Sequence, residues 1–181
     1  MVMNRRPRTS ALLPYATLFR SVRVAQKRGE PIEVSADEHL RKTTIENLAA
    51  LPTPFRQGGT VTAGNASGIN DGAACVLLAS EAAVAEFDLT RWAEFLGAAS
   101  AGVAPRLMGM GPVPATQKLC ARIGITPQDF DLIELNEAFA SQAIAVLREL
   151  GLDPAAAHTN ANGGAIALGH QSGRASCRER V

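Results

Sequence analysis

The chain has 181 residues, a formal net charge of +1, 46% hydrophobic and 4% aromatic residues. That length suits one domain of ordinary size, and the Ala- and Gly-rich, aromatic-poor composition is that of a closely packed α/β protein, not a disordered or fibrous one. The near-neutral charge gives no reason to expect nucleic acid or an anionic membrane as partner, no apolar run reaches the roughly 18 residues of a membrane-spanning helix, and three dispersed cysteines (Cys75, Cys120, Cys177) without a CxxC pair point to neither a disulfide framework nor a metal site, which fits a reducing, cytoplasmic setting.

Residues 1–21 differ in character from the rest of the chain. They carry Arg5, Arg6, Arg8 and Arg20 with several Ser and Thr, and the first acid is Glu30. The composition admits an organellar transit peptide or a disordered basic arm. A third reading is preferred because it accounts for both ends at once. Residues 10–21 (SALLPYATLFRS) and 173–181 (GRASCRERV) are similar to translated sequencing-adapter strings. A non-native extension over 1–21 and a non-native tail over 174–181 are therefore expected, and both stay outside the fold reasoning.

Residues 43–51 (TTIENLAAL) place Ile45, Leu48 and Ala49 on one face of a short surface helix. Thr43 or Thr44 caps it, Glu46 sits in its first turn, and Pro52 and Pro54 end it. His39 stands among Asp37, Glu38, Arg41 and Lys42 and is expected to be solvated.

The stretch 58–74 (GGTVTAGNASGINDGAA) repeats Gly every fourth residue from Gly64 to Gly72. It begins with a β-prone piece at 60–62 and reads as a Gly-rich loop opening a helix, with backbone N–H groups facing an extended polar ligand. It is neither G-x-x-x-x-G-K-[ST] nor G-x-G-x-x-G, so nucleotide phosphate is poorly supported. A tightly packed turn capped by Asn and Asp is the other reading. Residues 75–79 (CVLLA) read as a buried strand, and Ser80 with Glu81 opens a helix to about Phe87.

Residues 91–101 are bounded like a strand, with Trp92 expected to pack. Residues 108–114 (MGMGPVP) form a Gly/Pro turn, and Met108 suits either an apolar ligand wall or a gap in the core. Pro112 and Pro114 suit the first turn of a helix over about 115–123, striped by Leu119, Arg122 and Ile123 and stopped at Gly124. Cys120 lies within it as a structural thiol. Residues 126–129 (TPQD) form a capping-box turn, and 131–135 (DLIEL) a short strand.

A strong helix follows from Asn136, with Phe139, Ala143, Val146, Leu147 and Leu150 on one face and Gly151 closing it. Asn136 is then either a ligand-facing residue at the carboxyl end of a strand or simply the helix N-cap. Residues 160–170 (NANGGAIALGH) bring two asparagines, a glycine pair and His170 together. Either a turn aims His170 as a general base or oxyanion donor, or the histidine is hydrogen-bonded in the core.

Four of these segments, 60–74 (TVTAGNASGINDGAA), 108–116 (MGMGPVPAT), 134–142 (ELNEAFASQ) and 162–170 (NGGAIALGH), resemble the thiolase family, in the right order. The resemblance spans about 22–173. Residues 98–142 are most similar to the bacterial branch that contains 3-oxoadipyl-CoA and acetyl-CoA acyltransferases. It implies a layered α/β/α/β/α fold, here incomplete: residues 22–90 as the end of the loop domain and last part of the N-terminal domain, and 91–173 as the first part of the C-terminal domain. It also implies a thiolase-type acyltransferase that cleaves 3-oxoacyl-CoA or runs the reverse Claisen condensation, in fatty acid or aromatic degradation. Coenzyme A is then a co-substrate, no cofactor is held permanently, and the full-length enzyme is a homodimer or homotetramer.

By the same resemblance His170 activates a nucleophilic cysteine and donates to the thioester oxygen, while Asn136 holds a water that completes an oxyanion hole. Ala63 and Ser67 match positions that meet the pantetheine arm, and Met108 and Phe139 match positions lining the acyl pocket. The departures are specific. The nucleophilic cysteine lies upstream of this stretch in the family and the second cysteine downstream, so Cys75, Cys120 and Cys177 match neither. Gln171 and Ala161 stand where the family has Pro. This implies a fragment inactive by itself. A non-catalytic acyl-CoA or lipid-binding module would keep the 60–74 loop without either cysteine. A carrier-protein condensing enzyme fits less well, since such enzymes use two histidines and lack NEAFA.

Overall fold

A computed structural model describes residues 21–35, 39–70 and 76–171. The chain divides between residues 40 and 41 into two units. In the smaller one, β1 (Val22–Val24) and β2 (Ile32–Val34) form an antiparallel hairpin with Arg23 opposite Glu33. Opposite charges across a strand pair favour that register. His39 is half-buried here, where full solvation was expected.

The larger unit begins with α1 (Ile45–Ala49), capped by the Thr44 hydroxyl, which accepts from the Asn47 N–H at 3.3 Å. Next come β3 (Ile69–Asn70), α2 (Glu81–Glu86, capped by Ser80), a 3-10 turn (Pro105–Met110), α3 (Pro112–Ile123), a second 3-10 turn (Pro127–Asp129), α4 (Ala140–Glu149), α5 (Ala165–Leu168) and β4 (His170–Gln171). The expected helix ends hold for chemical reasons. Pro112 opens α3, where a missing N–H costs no intrahelical bond. Gly124 ends it at φ +73°, a left-handed conformation that L side chains resist. The Asp129 carboxylate accepts from the Thr126 N–H at 2.7 Å and from its hydroxyl at 2.8 Å, the expected capping box.

Buried apolar residues among the described ones are Val113 and Cys120 on α3, Ala143, Val146 and Leu147 on α4, and Ala165 on α5. Positions 143, 146 and 147 follow the i, i+3, i+4 spacing of one helix face, and that face meets α3. Full burial of a side chain such as Val146 contributes about 1.5–3 kcal/mol. The Leu119 and Ile123 side chains cover Gly97, while Arg122 leaves the stripe and donates to the Ala98 carbonyl at 2.7 Å.

Several expected strands are not formed. Residues 76–79 form no strand, with Val76, Leu77 and Leu78 exposed, and Cys75 lies outside the described residues. An apolar run reads as a core strand, but only a paired neighbour makes it one. Residues 91–101 likewise form no strand, and Trp92 is 79% exposed. In 131–135 Ile133 forms a parallel bridge with Thr159, and no continuous strand results. Residues 60–62 are not a strand. The Gly-rich stretch leads into β3, and its continuation at 71–75 lies outside the described residues.

Candidate active site

The Gly-rich turn holds itself together. Asn65 Oδ1 accepts from the Thr62 N–H at 2.9 Å, its Nδ2 donates to the Thr60 carbonyl at 2.8 Å, and the Thr62 hydroxyl accepts from the Gly64 N–H at 3.2 Å. Asn side chains make such local bonds readily, which is why they populate turns. Gly64 lies close under two leucine side chains. A β-carbon there would lie 2.6 Å from Leu48 Cδ2 and 2.9 Å from Leu51 Cδ1. Ala63 is exposed in this turn.

Past the turn, the backbone runs against the segment that precedes α4. The Ser67 N–H donates to the Ala138 carbonyl at 3.1 Å and the Ala140 N–H to the Asn65 carbonyl at 2.9 Å, so Ala66 faces Phe139 in an antiparallel bridge. The Ser67 hydroxyl also reaches the Ala138 carbonyl, at 3.4 Å. One residue further, the Gly68 carbonyl accepts from the His170 N–H at 2.9 Å and opens the parallel β3–β4 pairing, Ile69 opposite His170. Ser67, Phe139 and His170 are thus brought to one junction.

Asn136 is exposed and lies outside the helix. The N-cap of α4 is Phe139, in extended conformation and without a side-chain cap bond, so the capping role considered for Asn136 is not realised. The helix starts late because residues 138–140 pair with 65–67 instead of coiling. Met108, 79% exposed, sits in the 3-10 turn before α3. That turn is tied to α4 by Gln142, whose Nε2 donates to the Gly109 carbonyl at 2.9 Å. Ala63 and Met108 are linked to the junction only through the elements that carry them.

Two residues that sequence reasoning passed over organise the site. Asn160 adopts φ +47°, uncommon outside glycine but most accessible to Asn and Asp. Its Oδ1 accepts from the Leu135 N–H at 2.8 Å, and its Nδ2 donates to the Leu135 carbonyl at 3.0 Å and to Glu137 Oε1 at 3.0 Å. Glu137 Oε2 accepts from the Ile166 N–H at 3.2 Å, at the start of α5. The glycines around α5 follow from these contacts. A β-carbon on Gly164 would overlap the Glu137 carboxylate, and one on Gly169 (φ +90°) the Asn70 carboxamide. The 160–170 stretch contains Asn160 and the 134–142 motif contains Glu137, but neither residue type in that place signals a role by itself.

Burial, with a smaller contribution from the nearby Asp129 carboxylate, raises the Cys120 thiol above its ordinary range, which keeps it protonated. It is 3% exposed and belongs to the core. An apolar groove of about 360 Å³ runs between α3, α4 and residues 130–135, and none of Ala63, Ser67, Met108, Asn136, Phe139 or His170 lines it. Among the described residues no group of three His, Cys, Asp or Glu side chains is arranged to hold a metal ion.

Two family models match the chain: "Thiolase, N-terminal domain" over residues 15–82 and "Thiolase, C-terminal domain" over residues 89–181. The beta-ketoadipyl-CoA thiolase of Pseudomonas putida is 59% identical over 158 residues, 87% of this chain and 39% of that protein. The 3-oxoadipyl-CoA/3-oxo-5,6-dehydrosuberyl-CoA thiolase of Escherichia coli (strain K12) is 56% identical over 153 residues, 84% of this chain and 38% of that protein. Human mitochondrial 3-ketoacyl-CoA thiolase, solved in complex with CoA, superposes with a TM-score of 0.72 at 50% identity, over 76% of this chain and 35% of that one. The chain therefore spans well under half the length of the relatives it matches, and within that span its α/β fold is theirs.

Proposed function

The chain belongs to the thiolase family, and from that premise we propose that its residues 60–70 and 134–170 form the thioester-handling side of an acyltransferase site. The whole enzyme would cleave a 3-oxoacyl-CoA with free CoA or run the reverse condensation. In the cleavage direction a cysteine thiolate adds to the 3-oxo carbonyl carbon, the bond between C2 and C3 breaks, and the electron pair departs as the enolate of acetyl-CoA. A proton at C2 completes that product, and CoA then takes the acyl group from the enzyme sulfur. Splitting the reaction at a thiolate is covalent catalysis.

His170 is assigned two tasks, activating the nucleophile and donating to the thioester oxygen as enolate charge develops. Asn136 is assigned to hold a water beside it. Its exposure and its freedom from capping α4 support that role. Removing one oxyanion donor typically costs about a hundredfold or more in rate. Ser67 and Ala63 would meet the neutral pantetheine arm, which requires close backbone approach and no Lys, and Met108 and Phe139 would line the acyl pocket. Cys120 is buried and matches neither catalytic cysteine of the family, so both are assigned to parts of the enzyme outside this stretch.

The observation that carries the assignment is the bond from the His170 N–H to the Gly68 carbonyl, which sets the candidate base one residue from the pantetheine-matching Ser67. The relatives' names favour 3-oxoadipyl-CoA as substrate, in aromatic degradation. We further assign residues 22–90 to the loop and N-terminal domains and 91–173 to the C-terminal domain of a cytoplasmic homodimer or homotetramer. No helix among the described residues is long and apolar enough to cross a membrane. The test is to incubate the full-length enzyme with 3-oxoadipyl-CoA and CoA and measure succinyl-CoA and acetyl-CoA by mass spectrometry. Equimolar products are expected. Tight acyl-CoA binding without products would replace the assignment by a non-catalytic binding role.

A further inference from the structure

We infer that Glu137 is a positioning residue that aims His170 by clamping the turn that carries it, an inference that rests on the catalytic assignment of His170. Helix α5 has only four residues, its N-cap is Gly164, and no side chain of its own caps it. The first amides of a helix have no partner within the helix. Glu137, from the distant segment before α4, supplies one. Its Oε2 accepts from the Ile166 N–H at 3.2 Å, while its Oε1 accepts from Asn160 Nδ2 at 3.0 Å. Asn160 in turn grips the backbone of Leu135 through both polar atoms of its carboxamide.

The carboxylate is therefore a bridge between the 133–137 segment and the single helical turn before His170. From Ile166 the path is short. The Gly169 N–H closes α5 on the Ala165 carbonyl at 3.0 Å, Ala165 is buried, and His170 comes next with its N–H on Gly68. The clamp also accounts for Gly164, since any side chain there would collide with the carboxylate.

Both oxygens of Glu137 accept, so the isosteric carboxamide cannot replace it. A Gln would turn an N–H toward either Asn160 Nδ2 or the Ile166 N–H. Bonds to a charged acceptor are also the stronger kind.

In the full-length enzyme, Glu137→Gln is expected to lower kcat for thiolysis roughly 10- to 100-fold, because small misplacements of a reacting group cost that much, and to leave KM for CoA unchanged. Amide exchange at Ile166 should accelerate about tenfold or more, with exchange in α4 unaltered. Glu137→Asp, which keeps both acceptors on a shorter stem, should fall between the two. Unchanged exchange at Ile166 overturns the clamp. Faster exchange with undiminished kcat overturns the positioning role. A wild-type enzyme without thiolase activity refutes the catalytic assignment instead, while the exchange arm still decides the clamp.

Discussion

The carboxylate of Glu137 occupies the space that a β-carbon on Gly164 would need. Two segments that look independent in the sequence are therefore fitted to one another. Gly164→Ala must push the carboxylate aside or move the turn, and overpacking of this kind typically costs about 1–3 kcal/mol. The expected outcome is a lower urea midpoint for Gly164→Ala and a smaller loss for the same change in a Glu137→Ala background. Additive losses in the double variant would show that the two residues do not meet in solution.

Gly169 carries a double constraint, φ +90° and contact with the Asn70 carboxamide. Gly169→Ala is expected to destabilise by about 1–3 kcal/mol through backbone strain alone. It should also weaken the His170 N–H bond to Gly68, which would be visible as faster amide exchange at His170 than at residues 143–147. Equal exchange rates in variant and wild type would contradict this.

His170→Ala in the full-length enzyme is expected to reduce turnover about a hundredfold or more, and Asn136→Ala by a comparable factor, with CoA binding largely retained in both. Calorimetric titration with CoA separates loss of binding from loss of chemistry. Turnover that survives His170→Ala removes this histidine from the mechanism.

Acid stability offers a test of the capping box. Bonds from the Thr126 backbone N–H and hydroxyl hold the Asp129 carboxyl below its ordinary pKa. A depressed folded-state pKa contributes stability above the unfolded value, and that stability is lost as pH falls through the folded one. Asp129→Asn should therefore lower Tm at neutral pH and flatten the decline of Tm on the acid side. Parallel Tm curves for variant and wild type would deny the bond its role.

Cys120 is expected to resist iodoacetamide in the native protein and to react once the chain is unfolded in urea, because burial raises its pKa and blocks access. Peptide mapping of the alkylated product reads this directly. Rapid native labelling at Cys120 would mean that α3 does not pack on α4.

What the sequence determined by itself is local. Periodicity and caps are short-range physics, so Thr44, Ser80, Pro112, Gly124 and the 126–129 box could be read from neighbouring residues, and the face of α4 at 143, 146 and 147 from its spacing. The order of four motifs was enough to indicate the family. Tertiary structure alone decided which apolar runs become strands, since residues 76–79 and 91–101 look like core yet form no strand and lie largely exposed. It alone delayed α4 to Ala140, because pairing with 65–67 outcompeted helical bonds for residues 138–140. It also gave Glu137 and Asn160 their places, for hydrogen bonds between residues more than twenty positions apart leave no periodic trace in a sequence.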